Sequence, residues 1–188
     1  MTDTKKDSND NWLELQSNAA IDGMTSDELR NAIKDSSKLW LAHDGLWFQA
    51  VEKAYGLDAA VNADTEAWKI FTKLEAKRIL NRIGVEPGLG DIDTLATALR
   101  YRLYANINEM KIERSGNKLR MTMIDCRVQS ARKRKNLEPF KCKSVGIWEY
   151  SNFVSTINPN FKTRCIFCPP DQIPDDSYCQ WEFELQDE

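Results

Sequence analysis

Glu109-Met-Lys-Ile-Glu-Arg-Ser-Gly-Asn-Lys-Leu-Arg-Met-Thr-Met123 is the stretch where the chain changes its period. Met110 and Ile112 alternate with charged residues, Gly116-Asn117 supplies a hairpin turn, and Leu119, Met121 and Met123 alternate again, as in two half-buried strands. Upstream, the apolar spacing is helical. Thr25 or Ser26 can cap a helix with Glu28 in its first turn, and Leu29, Ile33, Trp40, Trp47, Val51 and Tyr55 follow at three- and four-residue steps or their sums until Gly56. A second helix is expected from an Asp64 cap through Trp68, Phe71, Leu74 and Leu80 to Gly84, and a third from Asp91 or Asp93 with Leu95, Leu99 and Leu103.

Downstream of the hairpin, Cys126 to Asn136 returns to helical composition and Pro139 stops it. Ser144 is expected to cap a helix carrying Ile147, Trp148, Tyr150, Phe153, Val154 and Ile157, and Asn158-Pro159 breaks it. Two strands close the chain, Lys162 to Phe167 and Tyr178 to Leu185, the latter with Cys179, Trp181, Phe183 and Leu185 on one face. A helical N-terminal half packed on a C-terminal antiparallel sheet with two further helices is an α+β architecture. The expected organisation is a polar lead over residues 1–24, with Trp12, Leu13 and Leu15 as a short docking patch, followed by one α+β domain over 25–188. Within that domain, residues 25–108 are helical and 109–188 contain the sheet.

Composition narrows the class. With 188 residues, 41% hydrophobic and 29% charged, and only 8 Gly and 6 Pro, the chain is neither disordered nor low in complexity. No apolar run approaches the roughly 20 residues of a membrane helix, and the polar start lacks the apolar segment of a secretory signal, so a soluble cytoplasmic protein with no membrane partner is expected. The net charge of −3 hides three zones. Residues 1–113 carry 14 basic against 19 acidic residues, 114–164 carry 12 against 3, and 165–188 carry none against 7. Oppositely charged segments lying side by side in one fold are the favoured reading.

Three groups of residues could carry chemistry. In Leu39 to Phe48, Trp40, His43 and Trp47 fall near one another on a helix, with Asp44 beside them. His43 is the only histidine, and between two indoles it could be a general base, a metal ligand or a stacking partner, the alternative being a hydrogen-bonded histidine on the inner face of a packed helix. Gly45 in mid-helix costs roughly 1 kcal/mol and calls for a reason such as close approach of a ligand. In the second group, Cys165 and Cys168 are spaced to face a single tetrahedral zinc, with Cys142 and Cys179 as further ligands; core packing of these thiols is the alternative. An odd total of five cysteines, all in the C-terminal third, excludes full internal pairing and suits reduced thiols. The third group is the basic run Arg127, Arg132, Lys133, Arg134 and Lys135. It reads as a solvated helix end rather than a nucleic-acid contact, with Arg127 and Gln129 placed to orient a small anion. Phosphate-loop, serine-elbow and metalloprotease motifs are missing.

His43-Asp-Gly-Leu-Trp-Phe48, Cys126-Arg-Val-Gln-Ser-Ala-Arg132, Phe140-Lys-Cys-Lys-Ser-Val-Gly146 with Glu149-Tyr150, and Cys168-Pro-Pro-Asp171 leading to Tyr178-Cys-Gln-Trp-Glu-Phe183 resemble an uncharacterised prokaryotic family, the domain of unknown function numbered 6125. The resemblance spans roughly residues 25 to 185. More distantly, about 70 residues of the C-terminal half are similar to the 4-vinyl reductase domain, a small-molecule-binding module, and to aminothiazoline carboxylate hydrolase-like proteins. That similarity implies that Cys142, Glu149, Cys165, Cys168 and Cys179 belong to a cysteine-rich pocket for zinc or a small hydrophobic ligand. A Pro-rich loop replaces the glycine-rich spacing expected between the last two strands.

The function expected first is a small-molecule-binding or sensor domain, with Trp40, Trp47, Phe48 and Trp148 lining an apolar pocket together with Arg127 and Gln129. The alternative is a hydrolase or reductase with His43, Asp44 and Glu149 as proton-transfer groups and a cysteine as nucleophile or metal ligand. The third is a nucleic-acid or protein interaction module. Self-association into a homo-oligomer is compatible with all three, and the sequence leaves open whether there is catalysis.

Overall fold

The computed structural model describes residues 19–186; the expected Trp12, Leu13 and Leu15 patch lies outside them. A short helix α1 (Ala19–Asp22) leads to α2 (Ser26–Tyr55), whose 30 residues make a rod about 45 Å long at 1.5 Å per residue. Thr25 caps it: its hydroxyl accepts from the Glu28 amide while the Glu28 carboxylate accepts from the Thr25 amide at 2.8 Å. Gly56, at φ 89°, turns the chain directly into α3 (Leu57–Ile83). The second helix therefore begins seven residues before the expected Asp64 cap, and Asp64 lies inside it. No helix among the described residues is long and apolar enough to cross a membrane.

Asp91 caps α4 (Ile92–Arg100) through the Thr94 amide at 2.8 Å, and a short 3-10 turn (Leu103–Asn106) leads into the hairpin of β1 (Glu109–Ser115) and β2 (Lys118–Asp125). Next come α5 (Arg127–Arg134), α6 (Lys143–Ile157), β3 (Phe161–Phe167) and β4 (Cys179–Leu185). Every strand pairing is antiparallel and the sheet order is β1-β2-β4-β3. The fold is α+β, with helices in the N-terminal half and the sheet in the C-terminal half. Helix α6 begins one residue ahead of the expected Ser144 cap, so a thiol residue, Cys142, occupies the N-cap position.

The inner face of the sheet, with Leu119, Met121, Trp181 and Phe183 fully buried, packs against α6. Helix α3 then covers α6, and α2 covers α3. Gly146 makes the contact between α6 and the sheet close: a Cβ there would lie 2.7 Å from the Trp181 ring. On the outer sheet face, Glu182 accepts from Arg120 at 2.7 Å and from Arg164 at 2.8 Å. Lys143 pairs with Asp171 at 2.7 Å, so the basic and acidic segments lie against each other as their charge zones suggested.

Candidate functional site

Between the middle of α2, α5, the start of α6 and one end of the sheet lies a cavity of about 410 Å³. Its walls are mostly apolar and aromatic: Phe48, Trp68, Tyr104, Phe140, Tyr150 and Trp181. Three carboxyl groups also line it, Asp44 from α2, Asp64 from α3 and Glu149 from α6. At the floor are the thiols of Cys142, Cys168 and Cys179.

Helical geometry explains why α2 contributes these residues. Asp44 and Phe48 are four apart and share the inward stripe, whereas His43 is turned about 100° from Asp44 and is exposed to solvent outside the cavity lining. Trp47 is likewise turned out, at 64% exposure. Trp40 packs behind the cavity wall, stacked on Phe71 at 5.4 Å and edge-on to Trp68 at 6.1 Å, and does not itself line the cavity. Trp148 is half exposed beneath the Lys69 ammonium, 4.6 Å from its ring. Thus, of the residues expected to bind or act on a ligand, the structure brings Asp44, Phe48, Arg127, Gln129 and Glu149 to the cavity and places His43, Trp40, Trp47 and Trp148 elsewhere.

The carboxyls influence one another. Burial raises Asp64 to about 7, and the charges of Asp44 and Glu149 add to the effect, while the Trp68 indole pulls the other way. Asp44 is raised by burial, with His43 opposing. Glu149 is raised by burial and held back by Arg102. Behind Glu149, Arg102 is fully enclosed, its Nε donating to Glu75 at 2.8 Å and its Nη1 lying 2.7 Å from Glu149 Oε1. That second contact is an ion pair without hydrogen-bond alignment, so Glu149 Oε1 and Arg102 Nη2 are buried without hydrogen-bond partners; the Trp181 indole nitrogen is separately buried without one. Glu149 and Trp181 line the cavity.

Gln129 shapes the floor. Its amide donates to the Phe140 carbonyl at 2.8 Å and accepts from the Phe140 amide at 3.1 Å, and its Nε2 also reaches Cys142 Sγ at 3.6 Å. The Cys168-Pro-Pro-Asp171 turn, with a cis Pro169-Pro170 peptide, is docked on the start of α6 by the Lys143–Asp171 pair and by the Lys143 amide donating to the Pro169 carbonyl at 2.9 Å. This docking places Cys168 Sγ 3.5 Å from Cys142 Sγ. Cys165 packs against the core from β3 and does not line the cavity. Among the described residues no three His, Cys, Asp or Glu side chains come together in a way that could hold a metal ion, so the four expected zinc ligands do not form such a group.

Asp64, Tyr104 and the Arg102–Glu75 pair did not stand out in the sequence. A signal was present: Asp64, Trp68, Thr72, Glu75, Ala76 and Ile79 recur at helical spacing, so two carboxylates fall on an otherwise inward stripe. The fold and the cavity define an α+β protein in which a helical layer and the end of an antiparallel sheet close on an acidic, aromatic hollow. Residues 22–185 match the model of the Family of unknown function (DUF6125), and the chain belongs to that family. No curated protein and no solved structure matches it.

Proposed function

We propose that this protein is an intracellular small-molecule-binding domain whose cavity takes a largely apolar molecule carrying a protonated amine. The observation that carries this reading is the meeting of Asp44, Asp64 and Glu149 in one aromatic-walled hollow, where Arg102 backs Glu149 from behind and the buried lining cation, Arg132, is paired with Glu52. Burial holds all three carboxyls above their ordinary values; Arg102 offsets the charge of Glu149, whereas Asp44 and Asp64 form no ion pair among the described residues and lack such compensation. A protonated amine would supply it, with the apolar and aromatic walls receiving the body of the molecule. A volume near 410 Å³ suits a ligand of one or two rings. Lys38, Arg127, Arg134 and Lys135 also border the cavity, but they are exposed and their charges are screened by solvent, while the buried Arg132 is neutralised by Glu52. Five free thiols suit a reducing compartment.

The test is a matched pair of probes, tryptamine and its neutral isostere tryptophol, titrated by calorimetry at pH 8. The amine should bind about tenfold or more tightly than the alcohol, and Asp64→Asn should remove most of that preference. Equal affinity of the two probes, or no heat with either, refutes the proposal.

A further inference from the structure

Of the three thiols at the cavity floor, Cys142 and Cys168 lie within reach of each other. Cys142 Sγ and Cys168 Sγ are 3.5 Å apart, so a side-chain rotation of each could bring them to the roughly 2.05 Å of a covalent bond. Cys142 is the half-buried member, lining the cavity at the N-cap position of the 15-residue α6; its sulfur makes no capping hydrogen bond to the helix amides, but the positive end of the helix dipole favours a thiolate there. The Gln129 amide, 3.6 Å away, adds a donor. Cys168 is buried, 2% exposed, and reachable only through the cavity or from Cys142. Trp181, whose indole nitrogen is buried without a hydrogen-bond partner, lines the same cavity.

We infer that Cys142 and Cys168 form a dithiol site that exchanges with small organic disulfides entering the cavity, Cys142 attacking and Cys168 resolving. This rests on the cavity being open to small molecules, though not on its preference for amines. In the first step the Cys142 thiolate attacks one sulfur of R–S–S–R, forming a Cys142–S–S–R bond and releasing RS⁻, which takes up a proton from water. In the second, Cys168 gives its proton to solvent and attacks Cys142 Sγ, forming the Cys142–Cys168 bond and releasing the second RS⁻. Two protein thiols are oxidised and one disulfide is reduced to two thiols. The donor contacts to Cys142 hold its thiol below the ordinary value, while its partner Cys168 is pushed up, which fits these separate roles.

The full-length chain, reduced and freed of reductant, is incubated with either cystamine or bis(2-hydroxyethyl) disulfide. With either probe it should lose two of its five titratable thiols, fall in mass by about 2 Da and yield a Cys142–Cys168 cross-linked peptide. Cys168→Ser should stop at the mixed disulfide on Cys142, and Cys142→Ser should release no thiol. The rate of the first step should reach half its maximum at a pH below the roughly 8.5 of an ordinary thiol. The inference is overturned if wild-type protein keeps five thiols with both probes, if Cys168 pairs with Cys179 instead, or if adducts collect on Cys126 or Cys165. The wild-type peptide map decides even if a variant fails to fold. Equal reaction of the two probes, with the cross-link formed, supports the dithiol site while counting against the amine preference alone.

Discussion

Asp64 is the residue whose environment makes the sharpest claim about this molecule. Its folded value of about 7 stands against an ordinary 3.8, so between those pH values the folded chain holds a proton that the unfolded chain has released. Stability therefore falls as pH rises through that window, and the whole cost is present above 7. Three pH units correspond to about 4 kcal/mol, and partial solvent access reduces this to about 2–3 kcal/mol. Asp64→Asn should then melt well above wild type at pH 8 and close to it near pH 4; equal melting differences at both would show that Asp64 is not strained. Arg102 behaves in the opposite sense. Fully enclosed between Glu75 and Glu149, with the Phe153 ring 4.7 Å from its guanidinium, it balances carboxylates that have no water. Arg102→Met should cost about 3–5 kcal/mol in denaturant unfolding at pH 7, because two buried carboxylates would lose their cation. A loss below about 1 kcal/mol would mean that the pair is solvated.

At the scale of elements, two helical glycines separate packing from function. A Cβ at Gly146 would meet the Trp181 ring at 2.7 Å, so Gly146→Ala should destabilise by about 1–2 kcal/mol even after its gain in helix propensity. At Gly45 the nearest atom to such a Cβ is Gln49 Nε2 at 3.8 Å, and the residue borders the cavity. Gly45→Ala should therefore stabilise α2 by about 1 kcal/mol while weakening binding of a cavity ligand. Thermal melts of the two variants should move in opposite directions, and a loss at both positions would show that α2 is packed more tightly than it is drawn here. The same comparison shows what could be read in advance. The Thr25 cap, the Gly116-Asn117 hairpin and the alternation in β4 were legible because each is set by neighbours in sequence. The rotation of α2 was not: Trp40, His43 and Trp47 make as good a stripe as Trp40, Asp44 and Phe48, and only the position of α5 and Phe140 selects the second. Asp64 was misplaced as a cap for the related reason that Gly56 joins α2 to α3 with no loop between them.

For the molecule as a whole, the cavity lies where the helical layer meets the sheet layer, and its outer wall is the eight-residue α5. That short helix is tied to α2 by side chains: Arg132 donates to both Glu52 oxygens, at 2.9 and 3.0 Å, and Lys135 donates to Gln49 at 3.1 Å. The basic run legible in the sequence thus has a structural partner 80 residues away, which no local pattern could have disclosed. The other ties of α5, from Gln129 to Phe140, Ser130 to Asp125 and Arg132 to the Glu138 carbonyl, run to neighbouring segments of the same chain region, so the Arg132–Glu52 pair is its main side-chain link to the helical layer. Arg132 holds the Glu52 carboxyl below its ordinary value of 4.5, so the pair is intact above that pH and is lost as pH falls through the lowered value. Glu52→Gln should accordingly raise hydrogen exchange of the α5 amides about fivefold at pH 7 while leaving α3 and α6 unchanged. Wild type, corrected for intrinsic exchange, should approach the variant as pH drops below the Glu52 titration. If exchange rises uniformly across all helices, the pair supports the fold globally and not α5 alone. If nothing changes, Phe48 packed on Phe140 at 5.0 Å suffices to keep α5 in place.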